Sequence, residues 1–581
     1  VPLVLLAPCL TAAGHGVDLV EVTDHGATVD VSRVPAEELP DAVARREAAG
    51  DARWVMDDVA HRYPPLLAAG VRLFRAHDLR LCHAILRRST RCAGSALAAA
   101  PRGPWDEPCG GSPVPGEPSL FDELALAGLP ATARPGEAPR VEGASGPAAG
   151  LGDAGPGSDL LAELVRQLDA VAGSADPGRL RLLLAAESTG ALLAAEMRHD
   201  GMPWSVTEHD RVLTALLGPR PAPGARPARL EALAAEVRAL LDAPALNPDS
   251  QPDLLHALRR AGLDVASTRR HEIAEHQHPV VAPLLEYKAL ARLLSANGWT
   301  WLDTWVHDGR FRPDYVVGGV VTGRWATSGG GALQLPAAIR SAVRADPGHL
   351  LVVADAKQLE PRVLAALSGD AAMAGAARGS DLYQALVDVG AVDTRSHAKT
   401  AMLGAIYGAT TGTSAALLPR LTSAFPRAIA AVQEAAQAGE RGEQVTTWLG
   451  RSSPVPGARW QEARRAATGE GSDPADVRAA RSRARDWGRF TRNFVVQGTA
   501  AEWALCWLAA LRRRLREVPG EPHLVFFLHD EVIVHTPAGV ADVVVSAVQE
   551  AAAEAGRLLF GRAPVEFALD VSVVESYDQA A

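Results

Sequence analysis

Residues 393–408 read DTRSHAKTAMLGAIYG, and within them Arg395, Lys399, Leu403 and Tyr407 are spaced by four. On an α-helix that spacing builds one ridge, drifting by roughly 40° per step at about 3.6 residues per turn. Asp393 or Thr394 can cap the start and Gly408 can end the helix. The first half of the ridge is cationic and the second half flat or apolar, so it can hold a polyphosphate at one end and a sugar and base at the other. A solvated charged stripe above a core stripe would write the same pattern. What separates the two readings is Lys399. The chain spells nearly every cation as arginine and has lysine only at Lys288, Lys357 and Lys399. A compact ammonium can give up a proton where a guanidinium cannot.

At about 150 residues per domain, the 581 residues suggest roughly four units. Residues 1–92 alternate short apolar runs with turns and then give helical segments near 40–50, 57–69 and 78–88, a small α/β unit. Residues 93–157 are mostly Gly, Pro, Ala and Ser, which cannot bury enough apolar surface to offset chain entropy. They are predicted to be a disordered linker or insert, with a short helix around 119–129. Helical patterning occupies 158–218, 227–242, 250–262 and 278–297. Strands are predicted at about 315–322 and at 348–356, and a long helical stretch over 357–440. A densely basic stretch at 478–492 precedes a second helix at about 495–516. LVFFLHDEVIVH, 524–535, reads as a hairpin, followed by a helix at 539–557 and a strand at 564–574. No internal repeat of fixed period is present.

The five cysteines form no CxxC pair, which points to reduced thiols and neither a disulfide framework nor a zinc site. The opening VPLVLLAPCLTAAG lacks a basic n-region and reads as a first strand. With no run of about 18 apolar residues, no membrane span is expected. A net charge of −10 argues against a uniformly basic nucleic-acid coat but leaves room for a local basic channel.

Two carboxylates stand out. Asp355 ends the apolar strand, and Asp530 sits at the hairpin tip between His529 and Glu531. An aspartate at a turn is common in itself. Carboxylates at the ends of paired strands, however, can face one cavity, where hard oxygen ligands suit Mg²⁺. Two such ions about 3.5–4 Å apart would clamp the attacking and leaving oxygens of an in-line phosphoryl transfer.

The chain then carries, in order, TGRWATSGGGALQLP (322–336), DAKQLEPR (355–362), RSHAKTAMLGAIYG (395–408), RNFVVQGTA (492–500) and HDE (529–531). In order and spacing across about 205–581 these resemble the motifs of the family-A DNA polymerases, of which bacterial DNA polymerase I is the best-known member. LNPDSQPDLLHALRRAGL, 246–263, is similar to the family's thumb, and LGRSSPVP, 449–456, to the segment returning from its fingers.

The resemblance implies an α+β multidomain, right-hand polymerase fold with an N-terminal α/β exonuclease-like domain. It divides the chain into the exonuclease-like domain at 1–92 and 158–204, thumb at 205–300, palm at 301–370 and 489–581, and fingers at 371–488. It implies that Asp355 and Asp530 hold two Mg²⁺ ions, with Mn²⁺ as an alternative, and that Glu531 and Lys399 join them in catalysis, Lys399 as proton donor to pyrophosphate. Arg395, Lys399, Leu403, Tyr407, Glu360, Gln358 and Tyr383 would contact the nucleotide, with Glu360 the steric gate against a ribose 2′-hydroxyl. Arg324, Gln334, Arg362, Arg489, Asn493, Gln497 and His529 would contact primer-template DNA. That contact reads minor-groove acceptors common to every Watson–Crick pair, and the 478–492 arginines add phosphate contacts. The implied partners are primer-template DNA and dNTPs; the implied state is a monomer in the bacterial cytoplasm, associated with the nucleoid.

The sequence also departs from the family. Ala356, Lys357 and Pro361 replace the usual tyrosine, serine and leucine, Tyr383 stands for a triphosphate-binding histidine, and Leu403 replaces an aromatic residue. In the N-terminal unit Asp18 and Glu21 have the wrong spacing for an exonuclease D-x-E, and no Y-x-x-x-D precedes the thumb. This resembles the short actinobacterial polymerases labelled bifunctional exonuclease/polymerase, with a degenerate exonuclease fold. Two other readings remain. A single-subunit RNA polymerase shares the aspartates and the Lys–Tyr ridge, but resembles a small residue and HDS where Glu360 and HDE stand. A non-catalytic DNA-binding protein would have no need of Asp355, Lys399 and Asp530 together.

Overall fold

The computed structural model describes residues 2–11, 14–50, 52–107, 156–329, 331, 335–379, 381–408, 412–469 and 472–580. The chain divides into two compact units. The first combines Val1–His199, Asp314–Ser328 and Ala354–Val571, and the second Asp200–Pro313, Gly329–Val353 and Ser572–Ala581.

The first unit opens with a five-stranded sheet in the order Thr28–Pro35, Gly14–Val22, Leu3–Thr11, Arg53–Met56, Ala76–Asp78. The first three strands are antiparallel and the last two parallel. Alternation along Leu3–Thr11 supplies apolar side chains to both faces. Val4 and Leu6 join Trp54, Tyr63 and Leu192 on one face, while Leu3 and Leu5 join Val55, Leu160 and Leu164 on the other. Two helices, Pro156–Ala172 and Pro177–Asp200, supply Leu160, Leu164 and Leu192 among these partners. Residues 93–107, predicted as linker, are structured: Arg87 holds the carbonyls of Leu97 and Ala100 at 2.9 and 2.7 Å, and Arg80 lies over Trp105. The rest of the predicted linker up to 155, with its helix at 119–129, lies outside the described residues.

The expected strand at 315–322 is only Asp314–Val316, because Gly318 turns the chain at φ +60° and takes it close to Glu187. It pairs with Ala326–Gly329. The helical stretch after Asp355 is six helices, broken by capped turns: Leu359–Ser368, Ala371–Ala376, Leu382–Asp388, Arg395–Tyr407, Gly412–Ala424 and Pro426–Arg441. The two helices expected over 478–516 are one, Pro474–Leu515, of 42 residues. Gly488 lies inside it without breaking it, since a Cβ there would meet the carbonyl oxygen of Ala436 at 2.8 Å on the neighbouring helix. Glycine serves close packing at this crossing, and the packing repays its low helix propensity. Part of this helix is, by length and composition alone, long and apolar enough to cross a membrane, but 89% of that window is buried in protein. It is a core helix.

A second sheet takes the order His523–Leu528, Glu531–Pro537, His349–Ala356, Leu569–Val574. Its hairpin and residues 354–356 and 569–571 belong to the first unit. The second unit is mostly helical, with Val206–Leu217, Ala228–Leu240, Gln251–Arg260 and Val281–Asn297 among its helices. Val237, Leu254, Leu258 and Leu284 form one of its cores, and Trp204, His209, Trp301 and Phe311 stack in another.

Candidate functional site

The strand His349–Ala356 buries Leu351, Val352, Val353 and Ala354 completely or nearly so, then surfaces at Asp355. The hairpin beside it turns on His529, whose φ of +57° is left-handed. The amide of Ala356 donates to the carbonyl oxygen of Asp530 at 2.9 Å, which locks the two aspartates side by side. They share a cavity of about 290 Å³ with Arg324, Gln358, Glu360, Tyr383, Leu403, Tyr407 and His529. Nine of the residues singled out in the sequence thus line one space.

The electrostatics of this floor are unbalanced. Desolvation, followed by the charge of Asp355, pushes the Asp530 carboxyl up to about 7. Asp355 is also raised, by desolvation and then by Asp570, with Lys357 opposing. Lys357 itself is committed to Asp570 at 2.5 Å. Burial and the nearby Arg324 push His529 down to about 4, and its Nδ1 is buried with no hydrogen-bond partner among the described residues.

Two networks wall the cavity. Glu360 accepts from Arg324 at 2.5 Å and from the Tyr407 hydroxyl at 2.7 Å, and Gln497 reaches that hydroxyl at 3.5 Å. Burial, then the Glu360 charge, raises the Tyr407 hydroxyl. The second network starts at Gln358, held at φ +53°. Its side chain donates to Asp381 at 2.9 Å and accepts from the Leu382 amide at 2.8 Å. Asp381 caps the helix Leu382–Asp388 through the Gln384 amide and accepts from Arg395 Nε at 2.7 Å. Arg395 in turn lies over the Tyr383 ring, 5.9 Å from its centroid. Asp381 was not among the residues singled out; aspartate ahead of a helical run with glutamine three residues on is a capping signal that could have found it.

The ridge forms as expected. Thr394 caps it by accepting from the His397 amide, and Gly408 ends it at φ +73°. Leu403 and Tyr407 reach the cavity, whereas Lys399 is exposed and has no hydrogen bond or ion pair among the described residues. Asn493 and Gln497 are buried on Pro474–Leu515, with Asn493 Oδ1 unpartnered among the described residues. Arg489 pairs with Asp486, and its stem closes on Gly408. Glu531 begins the second hairpin strand opposite Leu528. Gln334 lies outside the described residues.

One assignment is corrected. Arg362, expected to contact DNA, is fully buried and donates to the carbonyl oxygens of Lys357, Ala377, Glu566 and Gly379 at 2.6–2.9 Å. It braces the Asp355 turn from behind and has no face to offer a ligand.

The donors suit a hard divalent cation. Two adjacent carboxylates, both raised first by desolvation and without an ion pair among the described residues, are what an ion sharing its shell with water and phosphate would use. The described residues hold no group of three or more His, Cys, Asp or Glu that could hold a metal ion.

Comparison with known proteins gives one answer at three levels. The sequence model of DNA polymerase family A matches residues 228–579. DNA polymerase I of Chloroflexus aurantiacus is 28% identical over 323 residues, covering 50% of this chain and 32% of that one. The thermostable DNA polymerase I of Thermus filiformis is 29% identical over 47% of this chain and 34% of its own. The DNA polymerase of Mycobacterium phage L5 is 27% identical over 54% of this chain and 50% of its own. The chain thus spans about a third of the length of the first two of these relatives. Among solved structures, the POL domain of Pol1 from M. smegmatis, in complex with DNA primer-template and dNTP, superimposes with a TM-score of 0.65 at 17% identity, covering 99% of this chain and 95% of that one.

Proposed function

The chain belongs to DNA polymerase family A, and from that premise we propose that it extends a primer 3′ end with dNTPs under the direction of a DNA template. The observation that carries the proposal is the meeting of Asp355 and Asp530 on one cavity floor with Glu360, Leu403 and Tyr407 in its wall. Asp355 and Asp530 would hold the divalent ions, two Mg²⁺ or in their place Mn²⁺. Such ions, when bound, lower the barrier by polarising the attacking and leaving oxygens.

The chain's own residues do the rest. Lys399, exposed and uncommitted, meets the incoming polyphosphate and gives a proton to the departing pyrophosphate. Arg395 adds a guanidinium once it leaves Asp381. Tyr407 and Leu403 lie against the base and sugar. Glu360, fixed by Arg324 and Tyr407, fills the space of a ribose 2′-hydroxyl. Tyr383 flanks Arg395, and Gln358 ties Asp381 to the turn after Asp355. Arg324, Arg489, Asn493, Gln497 and His529 would contact the primer-template, as would Gln334, which lies outside the described residues. Glu531 supports Asp530. The buried, unpartnered Nδ1 of His529 supports this reading, since as an N–H donor it would be satisfied by a minor-groove acceptor.

In domain terms we read 205–300 as thumb, 371–488 as fingers, and 301–370 with 489–581 as palm. The protein acts as a monomer in the bacterial cytoplasm, on the nucleoid. Residues 1–92 and 158–204 have the place of a proofreading domain without its activity. Four of their carboxylates are engaged: Asp18 pairs with Arg33 at 2.7 Å, Asp57 with Arg62 at 2.8 Å, and Asp58 and Asp78 cap helices.

The test is primer extension on a recessed duplex with dNTPs against NTPs. Wild type extends with dNTPs, and Asp355→Ala or Asp530→Ala loses extension by at least about a thousandfold while keeping primer-template affinity, which arginine–phosphate contacts supply. Near wild-type extension by either variant removes the assignment. Digestion of a mismatched 3′ end that survives Asp355→Ala would restore proofreading to the N-terminal domain.

A further inference from the structure

A second cavity in the first unit, of about 230 Å³, has no part in the site above. Its wall comes from the starts of two parallel strands, Arg53–Met56 and Ala76–Asp78, from the helix Pro177–Asp200, and from Pro474–Leu515 and Ala541–Phe560. Four arginines line it: Arg53, Arg75, Arg512 and Arg513.

Two of these are neutralised. Arg512 is paired with Glu196 at 2.6 Å, and Arg513 with Glu554 at 2.8 Å. Glu554, the cavity's one lining carboxylate, is shared further with Arg514. Arg53 and Arg75 are not neutralised. They flank the register pair Trp54 and Ala76 on adjacent parallel strands, so they stand side by side. Neither guanidinium has a hydrogen bond or ion pair among the described residues, although Arg75 rests over the Phe74 ring at 5.1 Å. Both residues are partly buried. Desolvation first, and the Arg75 charge second, hold Arg53 below its usual range.

Two like charges held side by side in a partly buried cavity favour a compensating anion, because charges removed from water are paired or bound. The walls offer no spare carboxylate, and there is room for an anion of a few heavy atoms. We propose that this cavity binds a phosphoryl dianion between the Arg53 and Arg75 guanidinia. The geometry favours phosphate chemistry, since planar N–H forks match phosphate oxygens two at a time. Free phosphate, pyrophosphate and the phosphate of a nucleotide share that chemistry.

The experiment is calorimetric titration of the full chain with inorganic phosphate, pyrophosphate or dAMP, in EDTA so that no divalent ion recruits the anion to Asp355 and Asp530. The expected result is one saturable site that survives Arg395→Ala/Lys399→Ala and weakens about tenfold or more in Arg53→Gln and in Arg75→Gln. A melting scan separates binding from folding. In anion-free buffer Arg53→Gln should melt no lower than wild type, because it removes a repulsion, and it should lose most of the rise that the anion gives wild type. Tighter binding of dAMP than of phosphate would identify a nucleotide as the source, and equal binding the free anion. Binding unchanged by both substitutions, binding lost with Arg395 and Lys399, or no saturable binding would each overturn the proposal.

Discussion

Asp530 carries a stability penalty that only a cation or a mutation removes. Its carboxyl titrates near 7 in the folded chain, against an ordinary value of 3.8. Between those values the folded state holds a proton that the unfolded state has lost, so the contribution to stability falls as pH rises through the window and stays low above it. In EDTA, Asp530→Asn should therefore raise Tm by about 2 °C or more at pH 8 and by much less near pH 3, below the unfolded value, where both states are largely protonated. Added Mg²⁺ should raise Tm at pH 8 in wild type but not in the variant. Equal gains at both pH values would mean that Asp530 is not desolvated. Leu403 poses a second question at this scale. It lines the cavity one helical turn before Tyr407, offering apolar contact but no hydrogen bond. Leu403→Tyr should relax discrimination against dideoxynucleotides by about 1 kcal/mol, roughly fivefold in the ratio of kcat/KM for dNTP over ddNTP. An unchanged ratio would mean that Leu403 does not meet the sugar.

The ridge helix depends on its ends as much as on its face. Gly408 stops it at φ +73°, ψ +42°, and a Cβ there would stand 3.0 Å from Cγ of Arg489. A left-handed conformation costs an L-residue about 1–2 kcal/mol, so Gly408→Ala should lose at least that in chemical denaturation, and Gly408→Asn less, because asparagine tolerates this region. Equal stability of all three would show that the turn rearranges freely. This ending was legible in the sequence, as were the cap at Thr394, the strand into Asp355 and the hairpin around Asp530, because glycine, capping residues and apolar runs write local geometry directly. Arg362 was not. Its motif position says that it is needed near Asp355, but only tertiary packing decides whether five N–H groups face a ligand or four backbone carbonyls. The unbroken helix Pro474–Leu515 was missed for a similar reason: a glycine inside a helix signals a break until a neighbouring helix is seen filling the space above it. Asp381 is an intermediate case, readable as a cap but not as the carboxylate that holds Arg395.

At the scale of the whole molecule, the N-terminal sheet and the long helix Pro474–Leu515 belong to the same compact unit. Residues 1–199 and 354–571 form one compact unit, and a buried polar cluster contributes to the join. Arg512, on Pro474–Leu515, donates to both oxygens of Glu196 at 2.8 and 2.6 Å and to the carbonyl oxygens of Phe74 and Leu73. Tyr63 completes the cluster, donating to Glu196 at 2.7 Å and accepting from the Leu73 amide at 3.0 Å. Glu196 and Arg512 are both less than a tenth exposed. Such a pair adds little over an apolar replacement of both members, but removing one strands the other as a buried charge, at a cost of about 3–5 kcal/mol. Arg512→Leu should destabilise the chain by that amount in denaturant unfolding. Glu196→Gln should cost less, since Arg512 keeps its two carbonyl partners. The loss should not stay local. If the N-terminal sheet and the long helix unfold as one unit, amides of both Arg53–Met56 and residues 500–512 should exchange faster with deuterium in Arg512→Leu, by similar factors. Faster exchange in the sheet alone would mean that the N-terminal sheet unfolds independently of the long helix, and that residues 354–571 do not need it to fold.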